Sequence, residues 1–413
     1  MTRMFLWYFI VTLNFATKIR AVIDTVPSDF FFSSNVPEAT SKFVNACNIA
    51  NGSFEYFNHT MVGPQNEELQ ATVCVVGKSD ARGVVFTISG THGIEGYAGS
   101  MAQISLLHMS DMVLWKNIKI VNLHMINPYG AAYTTKENED NADQLKNVAA
   151  YYNLNYDNAI LQELIDGIDL PNLNNMTTLQ NAFLTFQKLQ TKYGAEAVNL
   201  ALKTGQGKRP QGVAYFGLSK SWSSQIIDGV ISKYVGKPEK ILLIDWHTAV
   251  GNYGYWTYLA LDSDTADIFK KWVPAASTEP YDIGLPTGGE VAYTFVKERT
   301  GAKRVFRVTW EAGTYNVTPN TNAMFFQRLH CRFYGSATEP FCQQVIANTK
   351  EYFYPQGANW KNLTYYDINR VLPLVLSGFA NEEVNCGPLA QVSILLIVMG
   401  LFYSLTFPQK LID

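Results

Sequence analysis

Apolar residues in this chain come in short runs separated by longer stretches of helical spacing. Val84–Ile88, Ile118–Ile126, Lys240–Trp246 and Arg304–Trp310 are rich in β-branched and aromatic residues, as buried strands are. Leu69–Val76 and Tyr255–Leu261 read as two more strands. Helical patterns fall over Pro37–Ala50, from Tyr97 onward, and over Ser219–Val235, Thr265–Val273 and Gly289–Arg299. Two further helical stretches come after Cys342, one ending near Phe353 and the other spanning Tyr366–Leu376. Gly90 ends the first apolar run, and Asn127-Pro128-Tyr129-Gly130 forces a turn after the second. Residues 134–210 are more polar and helix-rich, and read as an insertion or lid. Gln206–Gly217 reads as a glycine-punctuated loop running into a short strand. Strands alternating with helices predict an α/β fold with a mostly parallel mixed sheet and helices on both faces.

The two ends carry a different pattern. Met4–Ala16 is apolar, comes after Arg3 and is too short to span a bilayer comfortably, so residues 1–21 read as a signal peptide. Leu389–Phe407 has no charged residue and is long enough to cross a membrane. It reads as an anchor over 388–407, either a single span or a removed GPI signal after the small residues near Asn385–Gly387. The body of the fold is then expected over 22–380. Sequons at Asn51, Asn58, Asn175, Asn316 and Asn362 fit a secretory route to the cell surface. In an oxidising compartment Cys331 and Cys342 form a natural local pair, Cys47 and Cys74 a second, and Cys386 is left over. A formal net charge of −3 gives nucleic acid no purchase, so no such partner is expected.

The candidate chemistry sits where the strands end. His92 and Glu95, three residues apart in a glycine-rich turn, can face one point, and zinc accepts that ligand pair. His247 and Glu311 also lie at or just past the end of an apolar strand. In open α/β sheets ligands bind outside the carboxyl ends of the strands. Two of only 6 histidines fall at such ends, which points to a metal-dependent hydrolase.

Six segments together resemble the zinc carboxypeptidase superfamily, and within it a carboxypeptidase-like branch known mainly as a domain of unknown function. They are SGTHGIEGYAGS (89–100), INPYGAAYTTKENEDNAD (126–143), GQGKRPQGVAYFG (205–217), IDWHTAVGNYG (244–254), TWEAGT (309–314) and FYPQGANWK (353–361). The resemblance implies a zinc-carboxypeptidase-like fold with one zinc ion held by His92, Glu95 and His247, an open coordination that leaves room for water. It implies Glu311 as general base and Asp143 as the acid that orients a ligating imidazole. Lys136 matches an arginine that polarises the scissile carbonyl, and Asn138 lies in the same segment on the substrate side. Lys146 stands where the branch has the arginine that grips a terminal carboxylate, with Leu145 in place of the neighbouring asparagine. Lysine lacks the fork of arginine, so weak binding of free C-terminal carboxylates is expected, unless Lys146 or another cation such as Arg209 serves as the anchor. The expected activity is hydrolysis of a peptide or amide bond. N-acyl amino acid deacylation and a catalytically weak surface binding protein are the alternatives.

Overall fold

In chain order the strands are β1 (Ser53–Val62), β2 (Glu68–Val76), β3 (Gly83–Ser89), β4 (Ile118–His124), β5 (Lys240–Thr248), β6 (Trp256–Ala260), β7 (Thr278–Pro280) and β8 (Arg304–Ala312). The structure, a computed structural model, describes residues 28–383 except 115, 154–157, 261, 275–277, 281–290 and 317–318. The expected signal segment, the apolar C-terminal run and Cys386 lie outside the described residues. Among the described residues, no helix is long and apolar enough to cross a membrane.

The strands form one sheet in the order β1-β2-β4-β3-β5-β8-β6-β7. Its centre, β4-β3-β5-β8, is parallel, while β1–β2, β2–β4 and β6–β8 pair antiparallel. The expected mostly parallel mixed sheet is therefore present. β3, β4 and β5 are buried along their whole length because both faces are covered, which is why they read as near-continuous apolar runs rather than alternating ones.

The principal helices are α1 (Val36–Ile49), α2 (Gly96–His108), α3 (Ala159–Asp166), α4 (Met176–Tyr193), α5 (Ala195–Thr204), α6 (Trp222–Val230), α7 (Ser263–Trp272), α8 (Val291–Thr300), α9 (Pro319–Phe333), α10 (Pro340–Phe353) and α11 (Ala358–Asn381). Period-two alternation sends Leu242, Ile244 and Trp246 of β5 into a core shared with α1, α2, α7 and α11. Ile241 and Leu243 point the other way, into a core with α6 and α8. The insertion builds a third core: Leu161, Leu164, Ala182 and Val198 pack with Ala323 and Phe326 of α9. The chain up to Ala380 forms one compact unit, and residues 384–413 lie outside the described residues.

Several elements differ from the sequence reading, among them the three-residue strand β7, which it did not expect. β1 escapes it because this edge strand is largely solvent-exposed and carries no clean alternation; its antiparallel pairing to β2 secures it, and the Cys47–Cys74 disulfide ties β2 to α1. α9 is also unread, since it opens on the polar run Pro319-Asn320-Thr321-Asn322. The short strand expected within Gln206–Gly217 is corrected to a single bridge, Gln206 to Tyr215; its glycines favour turns over a ladder. The expected Cys331–Cys342 disulfide is present and ties α9 to α10.

Candidate metal centre

The topology makes a crevice. The chain leaves β3 through α2 to β4 on one side, while β5 lies against β3 on the other. Reversal of strand order at this point opens a gap at the carboxyl ends of β3 and β5. Ser89, which ends β3, is register-paired with Trp246, and His247 is register-paired with Glu311 of β8. Three neighbouring strands therefore deliver their ends to one place.

The loop after β3 is held by close backbone packing. Gly90 has φ +77°, a conformation that costs an L side chain free energy. A Cβ on Gly93 would lie 2.2–2.4 Å from backbone atoms of Gly130 and Ala131, so the loop can nest against the turn after β4 with glycine alone. Gly93 and Ile94 donate backbone hydrogen bonds to the carbonyls of Lys136 (3.0 Å) and Thr135 (3.1 Å).

His92, Glu95 and His247 converge. His92 Nδ1 lies 3.0 Å from Glu95 Oε1 and 3.0 Å from His247 Nδ1, which is 3.1 Å from Glu95 Oε2. One potential ligand atom from each of the three lies within 4.8 Å of the others, and all three side chains are buried. The outer nitrogens face carboxylates: His92 Nε2 is 3.4 Å from Asp143 and His247 Nε2 is 3.2 Å from Asp245. An aspartate at Nε2 favours the proton there and turns the Nδ1 lone pair inward. Two inward lone pairs 3.0 Å apart repel unless a proton or a cation lies between them. The donor set therefore fits a zinc ion.

Electrostatics agree. Burial opposes charge on Glu95, but His92 and His247 hold its carboxylate well below the usual range. Burial likewise opposes charge on His247, yet Asp245 and Glu95 raise its imidazole well above its ordinary value. A bound cation would displace that proton. Burial pushes the Glu311 carboxyl up to about 8, while His247 pulls the other way. Glu311 Oε2 accepts a long bond from Val250 N at 3.5 Å.

The other sequence-predicted residues fall in two groups. Asp143 is buried, faces His92 and also pairs with Lys146 Nζ and with Lys136 Nζ at 3.7 Å. Lys146 is buried too, so its charge is engaged by Asp143; burial lowers its pKa and Asp143 partly restores it. Asn138 is buried, and its Oδ1 accepts from Ala142 N (2.8 Å) and Asp140 N (3.1 Å), bracing its own loop. Arg209 instead pairs at the surface with Asp166.

Sequence reasoning passed over Asp245 and Thr91. Thr91 donates to both Asp245 oxygens (2.8 and 3.0 Å), so the residue before His92 fixes the carboxylate behind His247. The signal was there: residues two apart on a strand share a face, and Asp245 is two before His247. Arg328 and Arg332 of α9 were also missed and line the adjoining cavity.

An α/β sheet with a buried His-Glu-His group at its strand ends, and a carboxyl raised by burial beside it, defines a candidate metalloenzyme centre. The chain belongs to the family described as "Protein of unknown function (DUF2817)", whose model matches residues 32–366. A search of curated proteins finds no match. Similar solved structures include carboxypeptidase A from Helicoverpa armigera (13% identity, 82% of this chain and 80% of that one, TM-score 0.38). A metallo-carboxypeptidase from Pseudomonas aeruginosa is similar at 10% identity over 84% and 71% of the two chains, TM-score 0.37. Bovine thrombin-activatable fibrinolysis inhibitor is similar at 12% identity over 77% and 99%, TM-score 0.39.

Proposed function

We propose that this protein is an extracellular, membrane-tethered zinc hydrolase that cleaves an amide bond in a peptide or an N-acyl amino acid. The observation that carries the reading is the convergence of His92, Glu95 and His247 beside Glu311 at the ends of adjacent strands. His92, Glu95 and His247 would hold the ion, and bound zinc supplies a Lewis acid that polarises the scissile carbonyl and makes a water acidic. Glu311 takes the proton of the attacking water and passes it to the leaving amine. Burial raises the Glu311 carboxyl above the usual carboxylate range, and a zinc ion beside it would draw it back down, toward the range in which one group can both accept and deliver a proton. Asp143 and Asp245 orient the two imidazoles. Lys136, on the cavity wall beside Asp143, offers a cation to the developing oxyanion. Exposure of all five sequon asparagines and the two disulfides support a secretory setting.

The test is metal content and turnover of the full purified chain on a panel of peptides and N-acyl amino acids. One equivalent of zinc with turnover that a chelator abolishes and zinc restores is expected. Stoichiometric zinc with no turnover across the panel would leave the binding-protein reading in its place.

A further inference from the structure

β1 is the outermost strand of the sheet, so one edge of its backbone has no strand beside it. Phe54, Tyr56, Met61 and Val62 on this strand are exposed. An edge of this composition is a template for pairing with another chain, and folded proteins cover or interrupt such edges. The polar residues that could guard it turn elsewhere. Glu55 pairs with Lys233, and His59 lies 3.4 Å from Glu139, on the face where Phe57 packs against the second core.

Period-two alternation puts Phe54, Tyr56 and Asn58 on the opposite face, toward α1. Phe54 meets the Tyr56 ring edge-on at 5.3 Å and so restricts it. Asn58 is register-paired with Gln70 of β2, and its Oδ1 accepts from Gln70 Nε2 at 2.9 Å. That bond uses the amide oxygen and not the nitrogen. Between this face and α1 runs a groove of about 400 Å³. Pro37, Val44 and Tyr56 give it apolar walls, and Ser41, Glu68 and Gln70 add polar atoms. Such a lining suits a pyranose, which is apolar on its C–H face and carries hydroxyls around its edge. Asn58-His59-Thr60 is a sequon, and it is set apart from the other four by lying in a strand. Asn51 stands in a turn at φ +54°, Asn175 caps α4, Asn316 follows β8 and Asn362 lies within α11.

We infer that an N-linked glycan on Asn58 seats in this groove, with its first N-acetylglucosamine stacked on Tyr56, and that it covers the β1 edge. This rests on the secretory setting proposed above. In the transfer Asn58 Nδ2 loses a proton and bonds to C1 of the first sugar. The C1–O bond of a lipid-pyrophosphate-linked oligosaccharide donor breaks, and the pyrophosphate leaves with that electron pair. The first sugar is uncharged, so Glu68 in the groove does not repel it.

The test is a cycle of Tyr56→Ala and Thr60→Val on the full chain, secreted and then unfolded in denaturant. Thr60→Val removes the sequon while keeping Asn58, its bond to Gln70 and a β-branched side chain. Peptide mapping of the unaltered protein should find Asn58 occupied. Thr60→Val should raise the unfolding equilibrium constant roughly 2- to 10-fold where Tyr56 is present, the size of one aromatic contact, and leave it unchanged in the Tyr56→Ala background. Trimming every glycan to its first sugar should leave the midpoint where it was. Light scattering should show Thr60→Val self-associating more than the unaltered chain. Equal loss in both backgrounds would overturn the inference, because the sugar would then not rest on Tyr56. Equal self-association would overturn the covering of the edge. An empty Asn58 beside an occupied Asn51 or Asn175 would also overturn it and leave the secretory reading standing, whereas five empty sequons would remove both.

Discussion

At the scale of single residues the site divides into groups that would hold metal, orient the holders and move protons. His247→Ala removes a ligand, and bound zinc in the purified variant should fall to a small fraction of one equivalent by elemental analysis; full occupancy would refute the ligand set. Asp245→Asn keeps the shape but loses the carboxylate behind His247 Nε2. Its zinc affinity should drop about 10- to 100-fold in a competition titration with a chelating dye, the usual cost of losing such a partner. Glu311→Gln should keep zinc and lose turnover by at least ~10²-fold, since a positioned proton acceptor contributes about that much or more. A rate near that of the unaltered protein would mean that another group accepts the water's proton.

At the scale of elements, packing sets the response to acid and to reduction. His124 ends β4, stacks on Phe43 of α1 at 4.3 Å and accepts or donates at 2.8 Å with Ser100 of α2. Burial lowers its pKa from 6.5 to about 3. The unfolded chain therefore takes up a proton below pH 6.5 that the folded chain refuses until near pH 3. Its effect on stability is nil above that window and grows more unfavourable as pH falls through it, by at most about 1.4 kcal/mol per pH unit. Denaturant titrations at pH 7 and 5 should show a shallower acid loss for His124→Gln than for the unaltered protein. Parallel loss in both would exclude the imidazole as a cause. The Cys331–Cys342 bridge joins α9 to α10 across a separation of 11 residues. Replacing both with Ser should lower stability by roughly 2–3 kcal/mol on the chain-entropy account, read as a lower denaturation midpoint.

At the scale of the whole molecule, the sheet supplies the centre and the insertion completes the cavity beside it. The three cores match this division, two against the sheet and one binding the insertion to α9. The surface carries its own expectation. Asn51, Asn58, Asn175, Asn316 and Asn362 are all exposed, so each is open to a glycosyltransferase. Expression through a secretory pathway should give a protein whose mass falls on enzymatic deglycosylation, with one new aspartate per released N-glycan in peptide mapping. An unmodified set of all five would argue against that route.

The sequence by itself determined the central strands and which residues converge on the candidate site. Val84–Ile88 and Ile241–Ile244 are buried on both faces, and such runs are predominantly apolar, so they stand out without any knowledge of their neighbours. His92, Glu95, His247 and Glu311 were legible because each comes at the end of such a run, and the chain's path through a parallel sheet brings strand ends together. β1 was not legible, because an exposed edge strand is specified by its partner rather than by its own pattern. Asp245 sat in plain view, but which way β5 turns its faces is decided by α2 on one side and α6 on the other. Arg328 and Arg332 were the least legible. Nothing in the local sequence of α9 distinguishes them from surface cations, and their burial depends on the insertion folding over them from more than a hundred residues away. The tertiary structure alone decided that Lys146 is taken up by Asp143 and that Arg328 and Arg332 of α9 line the same cavity. Local sequence records what each residue can do, whereas the pairing of buried charges depends on which distant segments meet.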